Sequence, residues 1–136
     1  MKGDNNMTTF NVETDLNRGD IIWCDFGKPT GSEQRGIRPA VIIQNNVGNK
    51  YSPCVIVIPV SSQWKKPMIT HVGLKVEETG LEKPSVAMAE QIQTVDKRKI
   101  TGKANKLSDR MMNCIDRAIM ASLGLGNTSV NPTYSA

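Results

Sequence analysis

The chain has 136 residues, 38% of them hydrophobic, and a net charge of +4, which suits one modest core and argues against a second. No apolar run approaches the roughly 20 residues that cross a bilayer, and the polar stretch Met1 to Asn17 lacks the features of a secretory signal, so a cytoplasmic protein is expected. Cys24, Cys54 and Cys114 are widely spaced without a C-x-x-C pair, which suggests neither a disulfide framework nor a thiolate zinc site, and His71, the only histidine, excludes a histidine-rich metal cluster and a two-histidine acid/base nuclease.

In chain order, residues 1–17 read as a flexible extension, 18–125 as one domain and 126–136 as a flexible tail. Asp20 to Phe26 reads as a strand, ended by the turn residues Gly27, Pro29 and Gly31, and a polar loop runs from Lys28 to Gly36. Arg38 to Gln44 holds the continuous apolar run Ala40-Val41-Ile42-Ile43, which suits a strand buried on both faces. Asn45 to Asn49 reads as a turn. Cys54 to Val60 is a further β-branched strand, followed by a second polar loop, Ser61 to Pro67. Thr70 to Val76 and Ser85 to Gln93 supply more strands, separated by Gly80 and Pro84. From Ser108 the spacing of Met111, Met112, Ile115, Ala118, Ile119, Ser122 and Leu123 predicts one amphipathic helix, with Ser108 as its N-cap, Asp109 at its positive end and Gly124 as its stop. Several short strands and one helix predict a small barrel-like antiparallel sheet covered by that helix. The three cysteines read as buried thiols.

Arg38 follows a glycine-containing loop and precedes Pro39, which holds it extended at a strand entrance. There its forked, permanently charged donor suits a phosphate, although the residues alone favour an ordinary solvated or salt-bridged arginine. Ser61 and Ser62 begin the second polar loop, where a hydroxyl would reach the same end of the sheet. Trp64, between Gln63 and Lys65-Lys66, would stack a base or pack on the protein itself. His71 fits a general base or a structural hydrogen bond, and Glu33 a base, an RNA contact or a solvated carboxylate. Lys97-Arg98-Lys99, with Lys103 and Lys106, reads as a mostly solvated basic face.

Taken together, Arg18-Gly19-Asp20-Ile21, Gly31-Ser32-Glu33-Gln34, Arg38-Pro39-Ala40-Val41-Ile42-Ile43-Gln44-Asn45, Ser61-Ser62-Gln63, Thr70-His71-Val72 and Glu90-Gln91-Ile92 resemble the MazF/PemK-type toxins of bacterial toxin–antitoxin pairs, in register from about Arg18 to Leu125. The resemblance implies a mainly β fold, a small SH3-like barrel (MazF/PemK/CcdB-like) with a C-terminal helix. It also implies a homodimer that cuts single-stranded RNA at a short specific sequence without a metal or other cofactor, inhibiting translation, and a cognate antitoxin that blocks the RNA surface. The family's catalytic arginine falls on Arg38 and its catalytic hydroxyl, usually a threonine, on Ser61. Glu33, Gln34, Arg35, Ser62, Gln63, Trp64, Lys65 and Gln91 are the expected RNA contacts. Gln93 stands where related proteins often carry arginine.

Such a cut needs no metal in principle, because the ribose 2′-OH is the nucleophile and the enzyme aligns it and stabilises charge on the phosphoryl oxygens. The products would be a 2′,3′-cyclic phosphate and a free 5′-OH. Two other readings stand beside it. One is a toxin of the same barrel class that binds a protein target such as a DNA gyrase without catalysis. The other is a non-catalytic nucleic-acid-binding module.

Overall fold

A computed structural model describes residues 15–28, 36–63 and 66–126. Its seven strands are β1 (Asp20–Asp25), β2 (Ile37–Ile42), β3 (Cys54–Ser61), β4 (His71–Leu74), β5 (Ser85–Met88), β6 (Gln93–Asp96) and β7 (Ile100–Lys106). The helices are α1 (Asn46–Tyr51), α2 (Val76–Thr79) and α3 (Asp109–Leu123). All strand pairs are antiparallel, in the order β4-β5-β3-β2-β1-β7, with β6 also on β3. The predicted barrel-like sheet with a C-terminal helix is therefore present, as an open sheet folded about β3.

Alternation along the strands explains the folding of the sheet. On β2, Val41 joins one buried cluster while Ala40 and Ile42 join another; on β3, Ile58 and Val60 belong to the first and Val55 and Val57 to the second. Successive side chains point to opposite faces, so both faces of these strands are covered, as the continuous apolar run required. The first cluster also holds Met111, Met112, Ile115 and Ala118 of α3. The second is closed by Phe26, Val95, Ile100 and Leu16. Leu16 precedes the domain start read from sequence, yet it is only 4% exposed.

The segment Arg18-Gly19-Asp20 ties several elements together. Gly19, at φ 96°, gives its N–H to Ile42 O and takes one from Leu107. The Arg18 guanidinium donates to Ile43 O at 2.8 Å and pairs with Asp116 on α3. Asp20 is fully buried and accepts from Asn17 N–H at 2.7 Å and Lys103 Nζ at 3.1 Å. A buried carboxylate needs such partners, since desolvation would otherwise disfavour its charge.

Local structure departs from the sequence expectation in five places. The expected turn at Asn45 to Asn49 is α1, because the Asn45 side chain accepts from Gly48 N–H and acts as an N-cap; asparagine suits caps and turns alike. The expected strand Thr70 to Val76 is shorter, β4, since Val76 begins α2, which Gly80 ends at φ 73°. The expected strand Ser85 to Gln93 divides into β5, a 3-10 turn at Ala89–Gln91 and the start of β6. Residues Ile100–Lys106, read as part of a basic face, form β7, and Lys97 is 2% exposed rather than solvated. Of the three cysteines only Cys24 is buried, Cys54 and Cys114 being half-buried.

Helix α3 follows its sequence signals closely. Ser108 Oγ accepts from Met111 N–H at 3.2 Å, and Gly124, in the left-handed region at φ 67°, closes the last turn. Ile115 is wholly buried. Ile115→Ala is expected to lower unfolding free energy by about 2–5 kcal/mol and Ser108→Ala by about 1 kcal/mol, both read from urea denaturation.

Candidate active site

The ladder between β2 and β3 pairs Ala40 with Pro59, Val41 with Ile58 and Ile42 with Val57. The same register carried two residues outward brings Arg38 opposite Ser61. Both line an open cleft of about 510 Å³ at the sheet end, with Trp23, Ile37, Pro39, Val60 and Ser62. The far wall is the turn between α2 and β5, contributed by Gly80, Leu81, Glu82, Lys83 and Ser85. Sequence reasoning thus found one side of the cleft and missed the other. Trp23 was absorbed into an apolar strand, and Glu82 and Lys83 lay in a segment read only for its glycine and proline.

Arg38 lies within β2, its backbone paired with Cys24 of β1, and is exposed. Ser61 ends β3, paired with Val86 of β5, and is only 4% exposed. Its Oγ accepts from Gln63 N–H at 3.2 Å. That contact bears on the missing methyl of threonine. A β-branched side chain has its rotamer fixed by sterics, whereas Ser61 is held by a local hydrogen bond, and its own O–H keeps the capacity to donate.

The remaining expected site residues are distributed differently. Ser62 is exposed in the cleft, and Gln63 is exposed beside it. Gln91 is half-buried in the 3-10 turn after β5, its amide 3.7 Å from Met88 Sδ, and does not line the cleft. Glu33, Gln34, Arg35, Trp64 and Lys65 lie outside the described residues.

His71 lines a separate groove of about 600 Å³ between β4 and α3, together with Arg110, Cys114 and Arg117. Its Nε2 is 2.9 Å from Glu90 Oε2, while Thr70 Oγ1 donates to Glu90 Oε1 at 2.9 Å. His71 is thus hydrogen-bonded, and it does not line the Arg38 cleft. Glu90 holds both neighbours.

Two electrostatic details bound the chemistry. Burial, reinforced by the charge of Asp25, pushes the Cys24 thiol up to about 11, so it stays protonated and a poor nucleophile at neutral pH. The Arg98 side chain, with its backbone N–H, holds Asp96 down at about 2; both groups are on the surface. Among the described residues no group of three or more His, Cys, Asp or Glu is placed to hold a metal ion.

Comparison with known proteins supplies an independent line. Residues 17–123 match the family described as PemK-like, MazF-like toxin of type II toxin–antitoxin system. The Endoribonuclease EndoA of Bacillus subtilis (strain 168) is 41% identical over 111 residues, which span 81% of this chain and 96% of that protein. Among solved structures, a mycobacterial endoribonuclease in complex with its cognate antitoxin superposes with a TM-score of 0.71 at 23% identity, covering 83% of this chain and 99% of that one. MazF from Deinococcus radiodurans gives 0.69 at 22% identity, covering 81% and 97%. At these identities the two structures speak for the fold.

The burial of Cys24 yields a direct expectation. Its folded value lies above the unfolded one of 9.0, so the stability it contributes is whole below about 9 and lost as pH rises toward about 11. Alkylation of the native protein at neutral pH, followed by mass spectrometry, is expected to label Cys54 and Cys114 first and Cys24 only after denaturation.

Proposed function

We propose, from the premise that this chain belongs to the PemK-like, MazF-like toxin family of type II toxin–antitoxin systems, that it is a toxin endoribonuclease cutting single-stranded RNA with Arg38 and Ser61 as its catalytic pair. The observation that carries the assignment of residues is the meeting of Arg38 and Ser61 in one open cleft. An open cleft admits a chain substrate that passes through, which an enclosed pocket would not.

The ribose 2′-oxygen attacks the adjacent phosphorus, the bond from phosphorus to the 5′-oxygen breaks, and the proton lost from the 2′-OH is balanced by one gained on the leaving oxygen. A 2′,3′-cyclic phosphate and a 5′-OH result. Negative charge gathers on the non-bridging oxygens along this path. Arg38 stabilises it with its forked guanidinium donors, and Ser61 donates one further hydrogen bond. A guanidinium offers donors and no acceptor, which makes it a poor base. Charge stabilisation is therefore its main task.

Ser62 and Gln63, beside the pair, carry flanking nucleotides, together with Glu33, Gln34, Arg35, Trp64 and Lys65. Gln91 is assigned to RNA on the family resemblance alone. The endoribonuclease solved with its cognate antitoxin supports an antitoxin partner for this chain as well, one that occludes the RNA surface. Two copies form the working toxin, to be tested by sedimentation. No helix among the described residues is long and apolar enough to cross a membrane, which is compatible with action in the cytoplasm.

Arg38→Ala is expected to cut the rate of cleavage of a single-stranded RNA by at least the 10² to 10³ typical of losing one preorganised donor, with an unchanged thermal unfolding profile. Ser61→Ala should be impaired and Ser61→Thr active. Excess chelator should leave the rate unaltered, and DNA of the same sequence should stay whole. Full activity of folded Arg38→Ala would overturn the assignment, and intact RNA with the unsubstituted protein would favour a non-catalytic binding module.

A further inference from the structure

We propose that the cleft beside Arg38 holds a nucleobase pocket: the Trp23 indole, with Ile37 on the Arg38 side and Leu81 on the far wall, takes the face of a base next to the cut, and Glu82 reads its edge. The proposal rests on the endoribonuclease reading and names what sets specificity in the same cleft.

The first observation is the exposure of Trp23. It is 37% exposed in the middle of β1, whose neighbouring residues Ile22 and Cys24 are wholly buried. Its partners across the sheet explain this. Trp23 lies opposite Pro39 on β2 and opposite Gly102 on β7. Glycine has no side chain to lay over the ring, and a Cβ built at Gly102 would sit 3.7 Å from the indole Cδ1. Ile37, 60% exposed, adds a second uncovered apolar surface on the same cleft. An uncovered aromatic beside a phosphate-binding arginine is the arrangement on which single-stranded bases stack.

The second observation is that the opposite wall is held in place. Thr79, wholly buried, accepts from Leu81 N–H at 3.0 Å, and Gly80 closes α2 in the left-handed region at φ 73°. Ser85 Oγ donates to Lys83 O at 3.0 Å, and Asn105 of β7 donates to Glu78 O at 3.3 Å. The turn carrying Leu81, Glu82 and Lys83 is thus fixed at both ends and against β7. A fixed wall reads a base without first being ordered by it.

The chemistry of Glu82 sets the class of base. An ionised carboxylate only accepts. Adenine and cytosine present an amino group, and guanine an imino and an amino group side by side. Uracil sets its single N–H between two carbonyl oxygens, which a carboxylate repels. The pocket therefore takes a base with an amino group and rejects uracil. Lys83, on the same turn, supplies a cation for the adjoining phosphate.

The test is to map cleavage sites on one long RNA and to measure kinetics on a short substrate. With the unsubstituted protein, one position flanking the cut should lack uridine, and Glu82→Gln, whose amide both donates and accepts, should admit it. Trp23→Ala should raise KM about 5- to 150-fold, the range for loss of one stacked base, with a much smaller change in kcat, and Trp23→Phe should restore it. Gly102→Val, which covers the indole without altering it, should raise KM as Trp23→Ala does. Unchanged KM in the Trp23 and Gly102 variants, or an unchanged position profile in Glu82→Gln, while Arg38→Ala still abolishes cleavage, would overturn the pocket and leave the enzyme assignment standing. Full activity of Arg38→Ala would instead overturn the assignment itself, and the pocket with it.

Discussion

Strand β3 is paired along both edges. One edge lies against β2; the other is shared, with β6 against its first half and β5 against Val60 and Ser61 at its end. A strand so placed must satisfy its backbone on two sides and cover its side chains on two faces. The run Cys54-Val55-Ile56-Val57-Ile58-Pro59-Val60 meets that demand, and it keeps its register because a slip of one residue would exchange the two buried clusters. Ser61, at the end of this strand, inherits its position from that register. Arg38, at the start of β2, inherits its own from the same ladder.

The cleft therefore draws its two proposed catalytic side chains from rigid elements and its other walls from β1 and the α2–β5 turn. Elements of the sheet hold functional groups more closely than loops do. The groups outside this arrangement are informative too. Cys24 lies opposite Arg38 on β1 but is buried and held protonated, and His71 is engaged by Glu90 on the wall of another groove. In the described part of the cleft, charge falls to Arg38, Glu82 and Lys83. Such a set suits an RNA substrate that brings its own nucleophile and needs alignment and charge stabilisation from the protein.

The Arg18-Gly19-Asp20 segment shows how a family resemblance carries structural as well as functional content. Nothing in it lines the cleft. Gly19 is held at φ 96° between β2 and β7, Arg18 binds the end of β2 and α3, and Asp20 is buried beneath Lys103. These three residues fasten the start of β1. The face of β1 that bears Trp23 is oriented by the same attachment.

Sequence by itself determined the elements whose signals are local. The two-sided strands followed from continuous β-branched runs, and α3 followed from its apolar spacing with Ser108 and Gly124 as caps, because burial period and cap chemistry are written within a few neighbouring residues. The family resemblance placed Arg38 and Ser61. Only tertiary structure decided what depends on partners distant in sequence. Strand β7 is polar because its exposed residues face solvent, and it is recognisable by its pairing with β1 rather than by its own pattern. The indole of Trp23 is uncovered because Gly102, far along the chain, lies beside it. The wall carrying Glu82 lines the same cleft as Arg38, and α2, which leads into it, is fastened to β7 through Asn105. Each of these is a relation between segments, and an amino-acid pattern read along one segment does not contain it.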